Sequence, residues 1–319
     1  MTALHEAPPA QQKPDEAAPV RKNRFRRDRS LLLMVIPALV LLIVFNYVPM
    51  FGTATAFQRY SIYAGFWHSP WVGLETFRQL FSDSLFWSAL GNTLLLSLVQ
   101  LVFYFPIPIA LALLLHSIMS SKVRTIVQSV VYLPHFFSWV LAVTIFQQML
   151  GGAGALNQFL REHDLGTFDV MTNPDTFALL VTSQVIWKEA GWGIIVFLAA
   201  LAAIDTQLYE AAAADGAGRW RRLWHITLPG IRGVIVLMLV LRLGNVLTVG
   251  FEQMLIQRGA VGRDAAEVLD TYAYFYGVVN ANFSLGAAAS LFKGVLSLLF
   301  LLAANKIAHL LGEDGLYRR

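Results

Sequence analysis

The sequence predicts an all-α polytopic membrane protein with six transmembrane helices, and three observations predict it. Apolar residues make up 56% of the 319 and charged residues only 14%, against ~45–50% and ~25% in an ordinary soluble domain. Six apolar runs, at about 31–51, 88–115, 125–150, 177–204, 231–250 and 284–311, each supply the ~20 residues that a bilayer core demands. The basic residues alternate in density from loop to loop. Sixteen of the 24 Lys and Arg fall with the N-terminal tail, 116–124, 204–232 and the C-terminal end, and five fall in the opposite loops. The richer side, with both termini, is therefore expected in the cytoplasm.

Residues 1–30 read as a disordered basic cytoplasmic tail. Four of the twelve prolines lie in its first twenty residues, and six basic residues against Asp28 crowd 21–29. The first transmembrane helix follows over 31–51. A secretory signal with Ala54-Thr55-Ala56 as its cleavage site competes with this reading, but the apolar run exceeds the ~7–15 residues of a signal core, so an uncleaved anchor is expected. The external stretch 52–87 is rich in aromatics (Phe57, Tyr60, Trp67, Trp71, Phe77, Phe86 and Trp87 among them) and reads as an interfacial belt. Five more helices then fill 88–311, and 312–319 is a short cytoplasmic tail. Pro106 and Pro108 interrupt the second span and Pro134 the third, either as static kinks or as flex points.

Charges within spans are costly, at least ~2.5–3.5 kcal/mol at mid-bilayer, and so mark either structural pairs or a wet path. Trp187, Lys188, Glu189 and Trp192 lie in the fourth span, Arg242 and Asn245 in the fifth, and Lys293 in the sixth. They are the candidate path. The structural alternative pairs Glu189 with Arg242.

Between the fourth and fifth spans, the loop 205–230 carries a pattern of its own. Asp205 is placed to cap a short helix whose Ala211–Ala214 run has the highest helix propensity, and Gly216 supplies a left-handed residue to end it. A second short helix puts Trp220, Leu223 and Trp224 on one face, with Arg219, Arg221 and Arg222 free to meet acidic headgroups, and Pro229 is expected to stop it. On physics alone, the loop is either a surface amphipathic helix or a plug gripped from outside the membrane.

Glu210, Ala211 and Ala212, then Asp215, Gly216 and Ala217, then Ile226, Leu228 and Pro229 resemble, in register, the EAA loop of ATP-binding-cassette (ABC) importer permeases. Leu223 stands where that family often has Phe. The segments Tyr47–Gly52, Ser69–Glu75, Gly250–Gln253, Asp270–Tyr272 and Asn305-Lys306 resemble the poly- and oligosaccharide branch of its carbohydrate permeases. The resemblance implies a type I ABC importer permease core in a bacterial inner membrane, with the first span packed around the other five. It also implies a heterodimer with a second permease subunit, two ATPase subunits that hold ATP and Mg, and an extracytoplasmic sugar-binding protein. In that family the loop is the coupling helix. The cargo would be an oligo- or polysaccharide, with Trp187 and Trp192 available to stack on pyranose faces. Lys188, Arg242 and Lys293 against Glu189 leave a net +2 that favours a uronate-type sugar.

Catalysis, cofactors and metals are not expected of this chain. It has no G-x-x-x-x-G-K-[ST] loop, no H-E-x-x-H and no cysteine. The basic residues are accounted for by topology, so nucleic acid is not expected either. An ion-coupled carrier, with Lys188 and Glu189 as relay, is the competing class, and a membrane glycosyltransferase a weaker one.

Overall fold

A computed structural model describes residues 29–310, 312, 313 and 315. The expected tail 1–30 lies almost wholly outside these residues, and 312–319 mostly so. The chain divides after Gly52. In the first unit α1 (Arg29–Leu42) runs on through a π-type turn, Ile43–Tyr47, into Val48–Phe51. The wide turn falls just ahead of Pro49. A proline lacks the N–H that would continue the ladder, and a π-type turn re-registers the remaining bonds.

The second unit begins at Thr53 and is helical throughout, with one isolated bridge between Gln58 and Trp71 among its described residues. Its helices include α2 (Glu75–Ser82), α3 (Ser84–Phe103), α4 (Pro106–Ser117), α5 (Ser121–Tyr132), α6 (Trp139–Leu150), α7 (Ala155–Glu162), α8 (Pro174–Ala202), α9 (Thr206–Ala214), α10 (Leu228–Gly244), α11 (Phe251–Val261), α12 (Leu269–Tyr272) and α13 (Phe283–Leu310), with single helical turns at Gly65–His68, Arg219–Arg222 and Arg263–Ala266. Among the described residues, six helical stretches are long and apolar enough to cross a membrane: Leu33–Phe57, Ser84–Ser117, Trp139–Glu162, Pro174–Ala202, Arg219–Gly244 and Phe283–Leu310.

Two expected spans change form. The apolar run 125–150 is not one helix, because Pro134 cannot donate to the ladder. The chain passes through a 3-10 turn, Leu133–Phe136, then two extended residues, and restarts at α6, where Ser138 Oγ accepts the Leu141 amide at 3.2 Å. Nor does Pro229 stop the helix after Arg219. The Leu228 amide reaches back to Leu223 O in a π-type turn over Leu223–Thr227, which absorbs the missing donor, so Arg219–Gly244 is continuous. That helix ends at Gly244, not 250, and Gly250 then adopts φ +94°.

In a membrane, helices associate by close packing and not by apolar transfer, so small residues mark the contacts. The central helix is α8, packed against α3, α4, α5, α6 and α10. A Cβ on Gly191 would stand 2.1 Å from Val131 O, and one on Gly193 3.0 Å from Pro108. A Cβ on Gly277 would likewise stand 2.6 Å from the Gly286 Cα, where the turn after α12 crosses α13.

The aromatic stretch is only partly the belt expected of it. Tyr63, Trp67 and Trp71 are exposed, but Phe86 is fully buried and stacks edge-on with Phe81, Trp87, Phe292 and Tyr272. Phe57 and Phe77 pack on the same cluster, which includes Leu269 and Ala288. At its rim the Tyr272 hydroxyl donates to Asp83 Oδ2 at 2.7 Å, while Asp83 Oδ1 caps α3 through the Leu85 amide at 2.9 Å. Burial first, and then that carboxylate, hold the phenol protonated beyond its ordinary range. Hydrogen bonds to a charged partner contribute ~1.5–3 kcal/mol. Tyr272→Phe is therefore expected to cost about 2 kcal/mol in a thermal-unfolding assay of the purified protein. Asp83→Ala should cost more, because it removes the cap as well. Equal melting points for all three proteins would count against this rim contact.

Candidate functional site

The loop between α8 and α10 folds as its residues dictate. Asp205 accepts the Gln207 amide at 2.9 Å and starts α9. Its far end closes by two bonds, Ala217 N to Ala212 O at 2.8 Å and Gly216 N to Ala213 O at 3.1 Å, around Gly216 at φ +72°. This is the Schellman arrangement, which satisfies carbonyls that a helix end otherwise leaves open. No residue of α9 is buried. Glu210, Ala211 and Asp215 are exposed, Ala212 and Ala217 half-buried, and Glu210 makes no ion pair among the described residues. Behind this face, the Tyr209 hydroxyl meets Thr227 Oγ1 at 3.0 Å, which ties α9 to the turn containing Ile226. Leu228 and Pro229 then begin α10.

The candidate path residues do not form one constellation. Lys188, Glu189 and Trp192 share one side of α8 by helical spacing, and all three converge on His135 in the break between α5 and α6. Lys188 Nζ donates to the His135 carbonyl at 2.9 Å and pairs with Glu189 Oε1 at 3.0 Å. Glu189 Oε2 lies 2.8 Å from His135 Nδ1, and the imidazole stacks on Trp192 at 4.7 Å. Lys188 also sits 5.4 Å over the Trp139 ring. Trp187 is elsewhere, packed on Phe137 and Phe146.

The expected Glu189–Arg242 pair does not form. Glu189 has two nearer partners, while Arg242 donates to Gln100 Oε1 at 2.7 Å and stands 5.3 Å over Tyr104. Lys293 is neutralised by Asp270 at 2.6 Å, so the intramembrane excess is one charge smaller than the spans alone suggested. Asn245 is exposed at the end of α10 and donates to Leu241 O at 3.2 Å.

Sequence reasoning missed His135, Gln100 and Gln184, and it missed the buried pairing of Gln184 with Gln253 and Gln257. Gln253 and Gln257 both donate to Gln184 Oε1, at 2.6 and 2.9 Å, and join α11 to α8. The signal was present as polar residues at helical spacing within apolar segments, since buried amides demand partners.

Long apolar helices cemented by small residues, with ionised groups partnered inside them, define a polytopic membrane protein. The chain belongs to the family of binding-protein-dependent transport system inner membrane components, whose model matches residues 105–312. It is 41% identical to the polygalacturonan/rhamnogalacturonan transport system permease protein YteP of Bacillus subtilis strain 168, over 91% of each chain. To Protein LplB of the same strain it is also 41% identical, over 92% of each. A crystallised bacterial alginate ABC transporter, in complex with its alginate pentasaccharide-bound periplasmic protein, has a chain that superposes with a TM-score of 0.83 at 37% identity, covering 91% of this chain and 98% of that one. A second crystal structure, of a bacterial ABC transporter that imports the acidic polysaccharide alginate, gives 0.81 at 38% identity, covering 89% and 96%. The protein is thus a multi-pass inner-membrane permease of a sugar or polysaccharide ABC importer, with the type I importer core expected from its sequence. That membership removes the ion-coupled carrier and the glycosyltransferase.

Proposed function

We propose that this permease is one half of a heterodimeric pore and that α9 is the helix through which ATPase subunits act on it. The observation that carries the reading is α9 itself: nine residues, none buried, faced with alanine and fixed at both ends by their own caps. So short a helix gains little from propensity and gains most from a partner surface. Glu210, Ala211, Ala212, Asp215, Gly216 and Ala217 form the seat. Ile226, Leu228 and Pro229 connect it to α10, and the unbroken helix from Arg219 to Gly244 is a lever that carries a displacement into the membrane.

In this reading two ABC ATPase subunits hold ATP and Mg, and the chain itself holds no cofactor. The N- and C-termini and α9 face the cytoplasm, and an extracytoplasmic sugar-binding protein delivers cargo to the opposite face. Alternating access then needs a pore that opens to one side at a time. The break at Leu133–Ser138, held to α8 through His135, is a place where two half-helices can move separately.

The cargo is an oligosaccharide of uronate type. Support comes from the similar polygalacturonan/rhamnogalacturonan permease and alginate importer, and from Arg242, which has a neutral amide and a ring as its described partners instead of a carboxylate. A positive site within a span attracts anions more strongly than a solvated one does. Proteoliposomes containing the complete importer are expected to take up uronate oligomers and to leave neutral oligomers of equal length outside. Uptake of neutral sugars alone would overturn the acidic cargo and leave the coupling role untouched.

A further inference from the structure

A groove of 740 Å³ opens beside α9, between the end of α4 and the turn that leads into α10. Its lining is mostly apolar, with Leu113, Leu114, Met119 and Leu223, and it includes His116, Arg219 and Arg222 as its basic groups. Among the described residues neither guanidinium has a carboxylate within ion-pair distance, whereas Arg59, Arg258 and Arg263 all do. The groove lies where the span ending at Ser117 and the span starting at Arg219 meet, which is the depth of lipid headgroups. Trp220, also part of its lining, is 75% exposed, in the manner of an interfacial aromatic anchor.

We propose that this groove binds one anionic phospholipid, its phosphate on Arg219 and Arg222 and an acyl chain along Leu113, Leu114 and Leu223. Charge complementarity selects this occupant. The basic tail of the chain would be repelled by the same arginines, and a zwitterionic lipid brings no net charge to them. Guanidinium forks match phosphate oxygens, and a cationic residue near an anionic leaflet favours binding whatever the rest of the contact. Tyr209 of α9 also lines the groove and bonds to Thr227, so a bound lipid props the helix from behind. The inference does not depend on the coupling role of α9, since the groove touches that helix through Tyr209 alone and is otherwise built from α4 and the turn that leads into α10.

The test uses the importer as purified with its partner subunits, stripped of lipid in detergent, and reads retained lipid by native mass spectrometry. Phosphatidylglycerol should be retained and phosphatidylcholine with the same acyl chains should not. Arg219→Gln and Arg222→Gln should each lower retention roughly five-fold. Leu114→Trp, at a position 63% exposed, fills the apolar wall while leaving both charges, and should lower it too. Excess inorganic phosphate should not displace the lipid. Subunit assembly, read in the same spectra, reports whether each variant is intact. Equal retention of the two lipids, or wild-type retention in all three variants, would overturn the proposal. Displacement by free phosphate would overturn it in favour of a phosphate site, and a photo-crosslinker at position 114 that captures a protein subunit would do so in favour of a subunit contact.

Discussion

Gly216→Val is expected to lower sugar-stimulated ATP hydrolysis and sugar uptake together, by roughly ten-fold, in the reconstituted importer. Gly216 holds φ +72°, and nothing lies within 4 Å of where its Cβ would be. Any effect therefore comes from the backbone, not from a clash. A left-handed conformation costs a β-branched residue about 1–2 kcal/mol, enough to open the two bonds that close α9. Gly216→Asn, which enters the left-handed region with several-fold less difficulty, should keep most of the activity. Glu210→Lys, which reverses the charge of an exposed side chain, should weaken the hold on the ATPase subunits without altering the shape of the loop. Insertion of the chain in the membrane and sugar affinity of the binding protein should remain as in the wild type. Should Gly216→Val keep wild-type coupling and subunit assembly, α9 is not the coupling helix.

Local chemistry was legible in the sequence where one residue decides the outcome. Asp205 as cap, the Ala211–Ala214 run and Gly216 as a left-handed stop each act within one helical turn, and the structure places each of them so. The number of spans was legible because apolar length sets it. Proline was not legible in the same way. Pro134 breaks its helix completely, while Pro229 is absorbed by a wider turn, and the difference depends on whether the neighbouring chain can re-register its hydrogen bonds. Partners of the intramembrane charges were less legible still. Glu189 sits next to Lys188 in sequence, but its other partner, His135, is 54 residues away and reaches it only because α5 ends against Gly191.

Glu189→Ala is expected to cost about 3 kcal/mol of stability in the assembled permease, because it leaves an ammonium uncompensated inside the fold. Lys188 is 6% exposed and keeps only the His135 carbonyl and the Trp139 face once the carboxylate is gone. Removing one member of a buried pair is far more damaging than removing both, since the desolvated charge that remains has no partner. The double substitution Lys188→Met with Glu189→Gln should therefore recover most of the melting temperature lost by Glu189→Ala. Lys188→Met alone should fall between them, for it frees the His135 carbonyl but leaves Glu189 with the imidazole and partial access to solvent, at 28% side-chain exposure. The same variants separate structure from transport. If this cluster is a clamp that holds the break at Leu133–Ser138 to α8, uptake should follow stability through the series, and the double variant should transport nearly as well as wild type. A double variant that melts like the wild type yet transports nothing would assign Lys188 or Glu189 to the cargo path instead of the clamp.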